Sequence, residues 1–169
     1  ADLTAGTAYY ITFNSSVVRD LAGNAFAGIT SSTALNFTTV PPPDTTAPSF
    51  SSSTPSDNAT GVATSSNLVL NFNEAVQAGS GQIEIRRVSG GAVEASISIN
   101  DPTQVTISGS TVTLNPTADL TAGTAFYVAL ASGVIRDLAG NAFAGIALSS
   151  VLNFTTAPAA DVTAPLLTS

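Results

Sequence analysis

Apolar and polar residues alternate along much of the chain between positions 68 and 154. Leu68, Leu70 and Phe72 alternate with Asn71 and Asn73 in the first such stretch. A period of two is typical of strands with one buried face. Similar stretches lie at 83–85, 93–99, 105–107, 112–114, 126–130 and 152–154. The pattern predicts at least seven short strands.

Tight turns separate several of these stretches. Ser108-Gly109-Ser110 and Ser89-Gly90-Gly91 are typical of hairpin connections. No segment sustains a helical period, although Val134–Leu138 could hold a single helical turn. We therefore predict an all-β fold, an antiparallel β-sandwich.

The chain contains one long internal repeat. Residues 1–52 return as residues 118–169 at a constant offset of 117, with about 34 of the 52 aligned positions identical. A period of this length suits one autonomous domain and not a solenoid repeat. The repeat predicts sandwiches in tandem. It favours an odd-stranded sandwich over a closed barrel, because consecutive copies need the chain to arrive and leave at opposite ends.

The repeat also divides the chain. We expect residues 1–39 to be the C-terminal half of one repeat, with strands at 10–13 and 35–39 and a loop at 20–24. A proline-rich linker, VPPPDTTAP, occupies residues 40–48 and should be semi-rigid. A complete repeat is expected over residues 45–157, and residues 158–169 form a linker and the start of the next copy.

Residues 1–39 lack the early strands with which their own strands should pair. Unpaired strand edges readily recruit other chains. Either another molecule completes this half by strand exchange, or the sequence is part of a longer array. Both interpretations stay open at this point.

Charge and composition argue against several classes of function. Only 9% of residues are charged, the net charge is −7, and His, Lys, Cys, Met and Trp are absent. Four dispersed arginines cannot neutralise a run of phosphates, so we expect no nucleic-acid partner. No apolar run has membrane-spanning length, so we expect no membrane insertion. Without His, Lys or Cys the usual general bases and nucleophiles are missing, and we expect no enzyme.

A set of motifs in a fixed order resembles a known family. DTTAP, STPSDNATGV, LVLNFNEAV, ADLTAGTAFYV, RDLAGNAFAG and LNFTT are similar to the bacterial Ig-like repeats of S-layer proteins and giant cell-surface adhesins. The resemblance covers residues 44–156, and residues 1–39 as a partial copy. It implies Ig-like sandwiches in tandem, an extracellular location and, in many members, Ca²⁺ at loops or domain junctions.

The acidic residues suggest where a cation would bind. Alternating strand directions should bring the incoming linker, the loop after the second strand and the loop before the last strand to one end of a seven-stranded sandwich. Those segments carry Asp44, Glu74, Asp137 and Asn141. Carboxylate and amide oxygens are ligands that Ca²⁺ prefers. Further candidate ligands are Asp57 and Asp161 at the opposite end and, in the first copy, Asp20 and Asn24.

A plainer interpretation explains the same residues. Asp and Asn in such loops often accept hydrogen bonds from backbone amides, and Gly140 supplies a positive φ. The sequence does not decide between a Ca²⁺ site and turn chemistry.

We therefore expect a structural spacer of a large extracellular surface or matrix protein, in adhesion, an S-layer or a filament. Its partners would be neighbouring repeats of the same chain or other copies of it, the latter forming a homopolymer. The alternatives are an adhesin module that binds a glycan or a protein, and a filament subunit assembled by strand exchange.

Overall fold

The computed structural model describes residues 2–164, and every regular element among them is a strand. The chain divides into two units at the peptide bond between Asp44 and Thr45. No helix that could cross a membrane is found in the described residues.

The first unit contains two short strands. These are β1 (Ala8–Tyr10) and β2 (Asn36–Thr38), which pair antiparallel with Tyr9 opposite Phe37. Isolated bridges join Phe13 to Ile29 and Arg19 to Ala25.

The second unit contains eleven strands in the described residues. They are β3 (Phe50–Thr54), β4 (Ala59–Val62), β5 (Leu68–Phe72), β6 (Val76–Ala78), β7 (Gln82–Arg87), β8 (Val93–Ser98), β9 (Val105–Ser108), β10 (Thr111–Leu114), β11 (Ala125–Leu130), β12 (Ile135–Asp137) and β13 (Asn153–Thr156).

These strands form two main sheets. One has the order β3-β5-β10-β9, the other has the order β4-β13-β11-β7-β8, and β12 pairs separately with β6. All pairs are antiparallel except β4 with β13, which is parallel. The prediction of an all-β antiparallel sandwich is confirmed.

Alternating side chains of the two sheets form the core. Leu68, Leu70 and Phe72 of β5 are buried, while Val69 and Asn71 between them are only half-buried. Each fully buried aliphatic or aromatic side chain of this kind stabilises the fold by roughly 1.5–3 kcal/mol. Other core side chains are Ile83, Ile85, Val112, Leu114, Phe126, Val128, Leu152 and Phe154.

Two local predictions were wrong. Residues 135–137 of the expected helical turn form strand β12, because their backbone pairs with β6. In the first copy the strand lies at 8–10 and not at 10–13. After Tyr10 the hydrogen-bonding partner changes, since Ile11 N donates to Leu35 O and Phe13 N donates to Ile29 O.

The chain enters and leaves the second unit at opposite ends. The start of β3 pairs with the end of β5, and β5 leads into β6, the partner of β12. Because β12 follows β11, the end of β11 lies at this same incoming end. Strand β13 is antiparallel to β11, so β13 finishes at the other, outgoing end. There Ala157 N donates to Val62 O and Gly123 N donates to Ala157 O.

The repeated sequence folds with a repeated register. The pairs Ala8–Thr38, Tyr9–Phe37 and Tyr10–Asn36 of the first unit correspond, at the offset of 117, to Ala125–Thr155, Phe126–Phe154 and Tyr127–Asn153. The isolated bridges also correspond, since Leu130–Ile146 and Arg136–Ala142 repeat the two bridges of the first unit. What differs is burial, because Phe154 is 1% exposed and Phe37 is 42% exposed.

This difference predicts unequal costs for the same substitution. Phe154→Ala should lower the free energy of unfolding by about 3–5 kcal/mol, because it leaves a cavity between the sheets. Phe37→Ala should lower it by roughly 1 kcal/mol or less, as for a surface position. Urea unfolding followed by far-ultraviolet circular dichroism measures both, and equal losses would contradict the assignment of Phe154 alone to the core.

Candidate metal centre

Three carboxylates meet at the incoming end of the second unit. One oxygen each from Asp44, Glu74 and Asp137 lies within 4.8 Å of the others, and this is the one acidic cluster of its kind in residues 2–164. Asp44 is exposed, Glu74 is half-buried and Asp137 is buried. The topology brings them together, because Glu74 follows β5, Asp137 ends β12 and Asp44 precedes β3.

Asp137 is fixed by its own loop. Its carboxylate accepts hydrogen bonds from Asn141 N and Asn141 Nδ2, both at 2.7 Å. Burial alone would raise the pKa of Asp137. The hydrogen bonds from the side chain and backbone of Asn141 and from the backbone of Gly140 and Ala139 outweigh burial and lower this pKa. Asp137 is therefore held as a carboxylate.

The first copy builds the same turn. Asp20 accepts hydrogen bonds from Asn24 N and Asn24 Nδ2, both at 2.8 Å, and from Ala22 N at 3.0 Å. In both copies the preceding arginine, Arg19 or Arg136, donates to the carbonyl of the loop glycine at 2.9 Å. The turn therefore forms from its own sequence, as the plainer interpretation expects. In the first copy, however, Asp20 is exposed.

Hydrogen bonds attach the incoming segment of the second unit to the Asp137–Asn141 turn and to Asn73, the residue after β5. Asn141 Nδ2 donates to Thr46 O at 3.3 Å. Ser49 N donates to Asn73 Oδ1 at 2.6 Å, and Asn73 N donates back to Ser49 O at 3.1 Å. Asn73, which precedes Glu74, and Asn141, which binds Asp137, are thus both bonded to the backbone of the incoming segment.

Sequence reasoning missed Gln77 as a supporting residue. Its Nε2 donates to Asp137 O at 2.6 Å, across the pairing of β6 with β12. Nothing in the sequence marked residues 76–78 as a partner of residues 135–137. The prediction of a helical turn at 134–138 left no strand there to pair with β6.

The remaining predicted ligands lie outside the cluster. Asp57 accepts hydrogen bonds from Asn153 N, Asn153 Nδ2 and Asn58 Nδ2 at 2.7–3.0 Å. Asp161 accepts from Thr163 N at 2.8 Å, which lowers its pKa. The expected facing of Asp57 and Asp161 toward a following repeat stays a prediction.

The cluster suits a hard cation in its chemistry. Its three groups are all carboxylates, without nitrogen or sulfur donors, and like charges this close repel one another. A divalent cation that prefers oxygen ligands would relieve that repulsion. Asp44, Glu74 and Asp137 are the residues that would hold it, with Asn141 fixing the orientation of Asp137.

A second feature is a shallow groove of about 580 Å³ on the outer face of the five-stranded sheet. Arg86 lines it, and its guanidinium is bonded to Glu84 Oε2 at 2.7 Å and to Gly91 O at 3.0 Å. The lining consists of Gln82, Glu84, Arg86, Tyr127, Ala129, Leu130, Ala131, Ile146 and Ala147.

Comparisons with known proteins identify the second unit. A family model described as "Bacterial Ig-like domain" matches residues 44–156. No curated protein matches the chain. Among solved structures, the crystal structure of CopC from Methylosinus trichosporium OB3b is similar, with a TM-score of 0.47 and 18% sequence identity. The match covers 68% of this chain and 97% of that one.

The lowered pKa of Asp137 predicts a contribution to acid stability. A carboxylate whose pKa is lower folded than unfolded stabilises the fold above its unfolded pKa, which is about 3.9 for Asp. That contribution is lost as the pH falls through the folded pKa. Asp137→Asn should therefore be less stable than the unmodified chain at pH 7, and the difference should shrink below about pH 4.

The control for this prediction is Asp20→Asn, which alters the same turn in the exposed copy. It should leave the unfolding midpoint of the second unit unchanged at every pH. Urea midpoints measured between pH 2 and pH 7 test both variants. A constant difference between Asp137→Asn and the unmodified chain over this range would exclude a role for the charge.

Proposed function

The chain belongs to the bacterial Ig-like domain family, and from this premise we propose that it is a structural spacer of a large extracellular bacterial surface or matrix protein. Its role is mechanical: it sets the distance between other parts of the molecule and resists extension. Tandem repetition of the 117-residue unit is part of this proposal.

The observation that carries the proposal is the opposite placement of the chain ends of the second unit. Strand β3 starts at the incoming end and β13 finishes at the outgoing end. A domain built in this way adds its full length to an array, whereas a domain with adjacent ends would project to the side. The repeated register of β1–β2 and β11–β13 supports the use of one unit more than once.

The acidic cluster supplies a means of stiffening. Asp44 belongs to the segment that joins the two units, and Glu74 and Asp137 belong to the sandwich. We propose Ca²⁺ as the cation, since a bound ion would fasten the incoming segment to β5 and β12 through their carboxylates. The junction would then bend less, while the turn at Asp137–Asn141 persists with or without the ion.

A binding module is the second candidate. The groove beside Tyr127 offers an aromatic ring, a charged pair and a glutamine amide on one face, which suits a polar ligand such as a glycan. It is shallow, and Arg86 and Glu84 already bind each other. The spacer therefore explains more of the described structure.

Array length tests the spacer directly. Residues 40–156 make one full period, so one, two or three further copies can be inserted before Ala157 without altering any junction. Small-angle X-ray scattering should show a maximum dimension that grows by a constant increment per copy. A dimension that levels off, or saturable binding to a glycan array that is lost in Tyr127→Ala, would favour the binding module.

Calcium should raise the stability of the second unit. A ligand that binds only the folded state stabilises it by about 2.7 kcal/mol at a hundredfold excess over its Kd. We expect millimolar Ca²⁺ to raise the Tm by several degrees relative to EDTA, and Glu74→Gln to abolish the shift. Glu74 is the best position because its loss leaves the hydrogen bonds of the Asp137–Asn141 turn in place.

The matched control is Asp57→Asn, which removes the same charge beside the start of β13, outside the cluster. It should retain the full Ca²⁺ shift. Absence of a shift in the unmodified chain would reduce the cluster to turn chemistry, and an equal loss in both variants would point to general charge screening.

A further inference from the structure

The segment that enters the second unit is bonded directly to the segment that leaves it. Residues 45–62 contain β3 and β4, and β13 is the last strand before the exit at Ala157. Strand β3 pairs with β5 and so ties the incoming segment to the four-stranded sheet. Strand β4 lies at the edge of the other sheet, where it runs parallel to its neighbour β13. The pair of β4 with β13 therefore joins the two segments through which tension would enter and leave the unit.

Hydrogen bonds hold this pair at both of its ends. At the start Asn58 N donates to Asn153 O at 2.8 Å, and at the finish Ala157 N donates to Val62 O at 2.7 Å. Asp57 strengthens the start, because one carboxylate oxygen accepts from Asn153 N at 2.9 Å and from Asn153 Nδ2 at 3.0 Å. The other oxygen accepts from Asn58 Nδ2 at 2.7 Å. A hydrogen bond to a charged group is stronger than one between neutral groups, so the Asp57 carboxylate makes the strongest contacts of this pair.

The direction of the two strands decides how tension acts on these hydrogen bonds. Strand β13 finishes at the outgoing end, and β4 runs parallel to it. Tension on the unit would draw β4 by its first residue toward the incoming end and β13 by its last residue toward the outgoing end. The strands are then pulled in opposite directions along their own axes, so that all hydrogen bonds between them carry load together. A hairpin such as β7–β8 differs, because pulling its two free ends apart breaks its hydrogen bonds one after another.

The end of β13 is also held from its other side. Thr156, which is 1% exposed, donates from Oγ1 to Thr121 O at 2.7 Å and accepts from Thr124 N at 3.0 Å. Gly123 N donates to Ala157 O at 2.8 Å. Strand β13 pairs with β11 as well, so it is bonded to its surroundings on both edges, whereas β4 has β13 as its one neighbour in the sheet. The hydrogen bonds between β4 and β13 are therefore the ones that give way when the unit is stretched.

We infer that the parallel pair of β4 and β13, with Asp57 and Asn153 at its start, is the element that bears load when the unit is stretched. We call this pair the shear clamp. The inference rests on the proposed function, since a load-bearing pair serves a domain that is held at both ends. It goes further by naming the contacts that must break before the sandwich extends, and it gives Asp57 a role in the unit other than cation binding.

Single-molecule pulling at constant force tests the shear clamp in the full chain. The sequence contains no cysteine, so Thr45→Cys with Ala159→Cys attaches two handles that load the second unit along the chain direction. In this direction Asp57→Ala should shorten the lifetime of the folded unit about tenfold, because hydrogen bonds to a carboxylate no longer hold the start of the clamp. Handles at Ser80→Cys and Asn100→Cys load the free ends of the β7–β8 hairpin instead. There the same substitution should leave the lifetime unchanged.

The matched control is Asp101→Ala, which alters a carboxylate between β8 and β9. Asp101 also accepts three hydrogen bonds, from Thr103 N, Thr103 Oγ1 and Gln104 Nε2 at 2.7–2.9 Å. Urea unfolding should therefore show similar losses of stability for both alanine variants, while Asp101→Ala keeps the lifetime of the unmodified chain under load along the chain direction. Asp57→Asn, which keeps a carbonyl acceptor, replaces Asp57→Ala if that variant does not fold, and should show a smaller effect with the same dependence on direction.

Three results would overturn the inference. The first is an unmodified chain that lasts no longer along the chain direction than across the hairpin. The second is an unchanged lifetime of the Asp57 variant along the chain direction. The third is an equal shortening in both directions, which would assign Asp57 to general stability. The growth of scattering dimension with array length does not depend on Asp57, so the shear clamp can fail while the spacer stands.

Discussion

The structure depends on the burial of two apolar sheet faces against each other. Neither the β5 sheet nor the β11 sheet can bury its inward side chains alone, since each has one apolar face. The chain contains a direct comparison of both situations. Residues 118–156 have a facing sheet, and Phe126 and Phe154 are buried; residues 1–39 keep the same pairing register, and Phe37 is exposed. Strand pairing follows from the local sequence, whereas burial of the apolar side chains requires the facing sheet of the sandwich.

The incoming end of the sandwich follows from the same arrangement. Backbone hydrogen bonds of the Asp137–Asn141 turn fix one carboxylate, and the end of β5 places Glu74 next to it. The turn needs no neighbour, because Asp20–Asn24 forms it in the exposed copy. The cluster needs the whole sandwich, because its carboxylates come from segments far apart in sequence. The turn therefore fixes the Asp137 carboxylate, and the folded sandwich brings the other two carboxylates to it.

Much of the fold could be predicted because two sequence signals agree. Alternation placed the inward residues of β5, β7 and β11, and the duplication implied that both copies would share a register. Opposite chain ends followed from strand number and direction, and this brought Asp44, Glu74 and Asp137 together before any geometry was known. The failures were local. The pairing of β12 with β6 depends on residues about 60 positions apart, and neither segment alternates for long enough to predict it. The parallel pairing of β4 with β13 had no signal either, because Ala59–Val62 offers few apolar residues.

The two copies also show how assembly and charge are linked. Asp20 has the sequence, the turn and the lowered pKa of a cluster carboxylate, with the hydrogen bond from the Asn24 side chain as the main cause. What it lacks is a facing end of β5 and a strand like β6. In the second unit the end of β5 brings Glu74 close to Asp137. Core formation and the gathering of negative charge are one event there, so a cation that relieves the repulsion would favour the folded unit over the unfolded chain. A spacer of this design would be stiffest where its cores are complete, because the contacts that close the core also place the carboxylates.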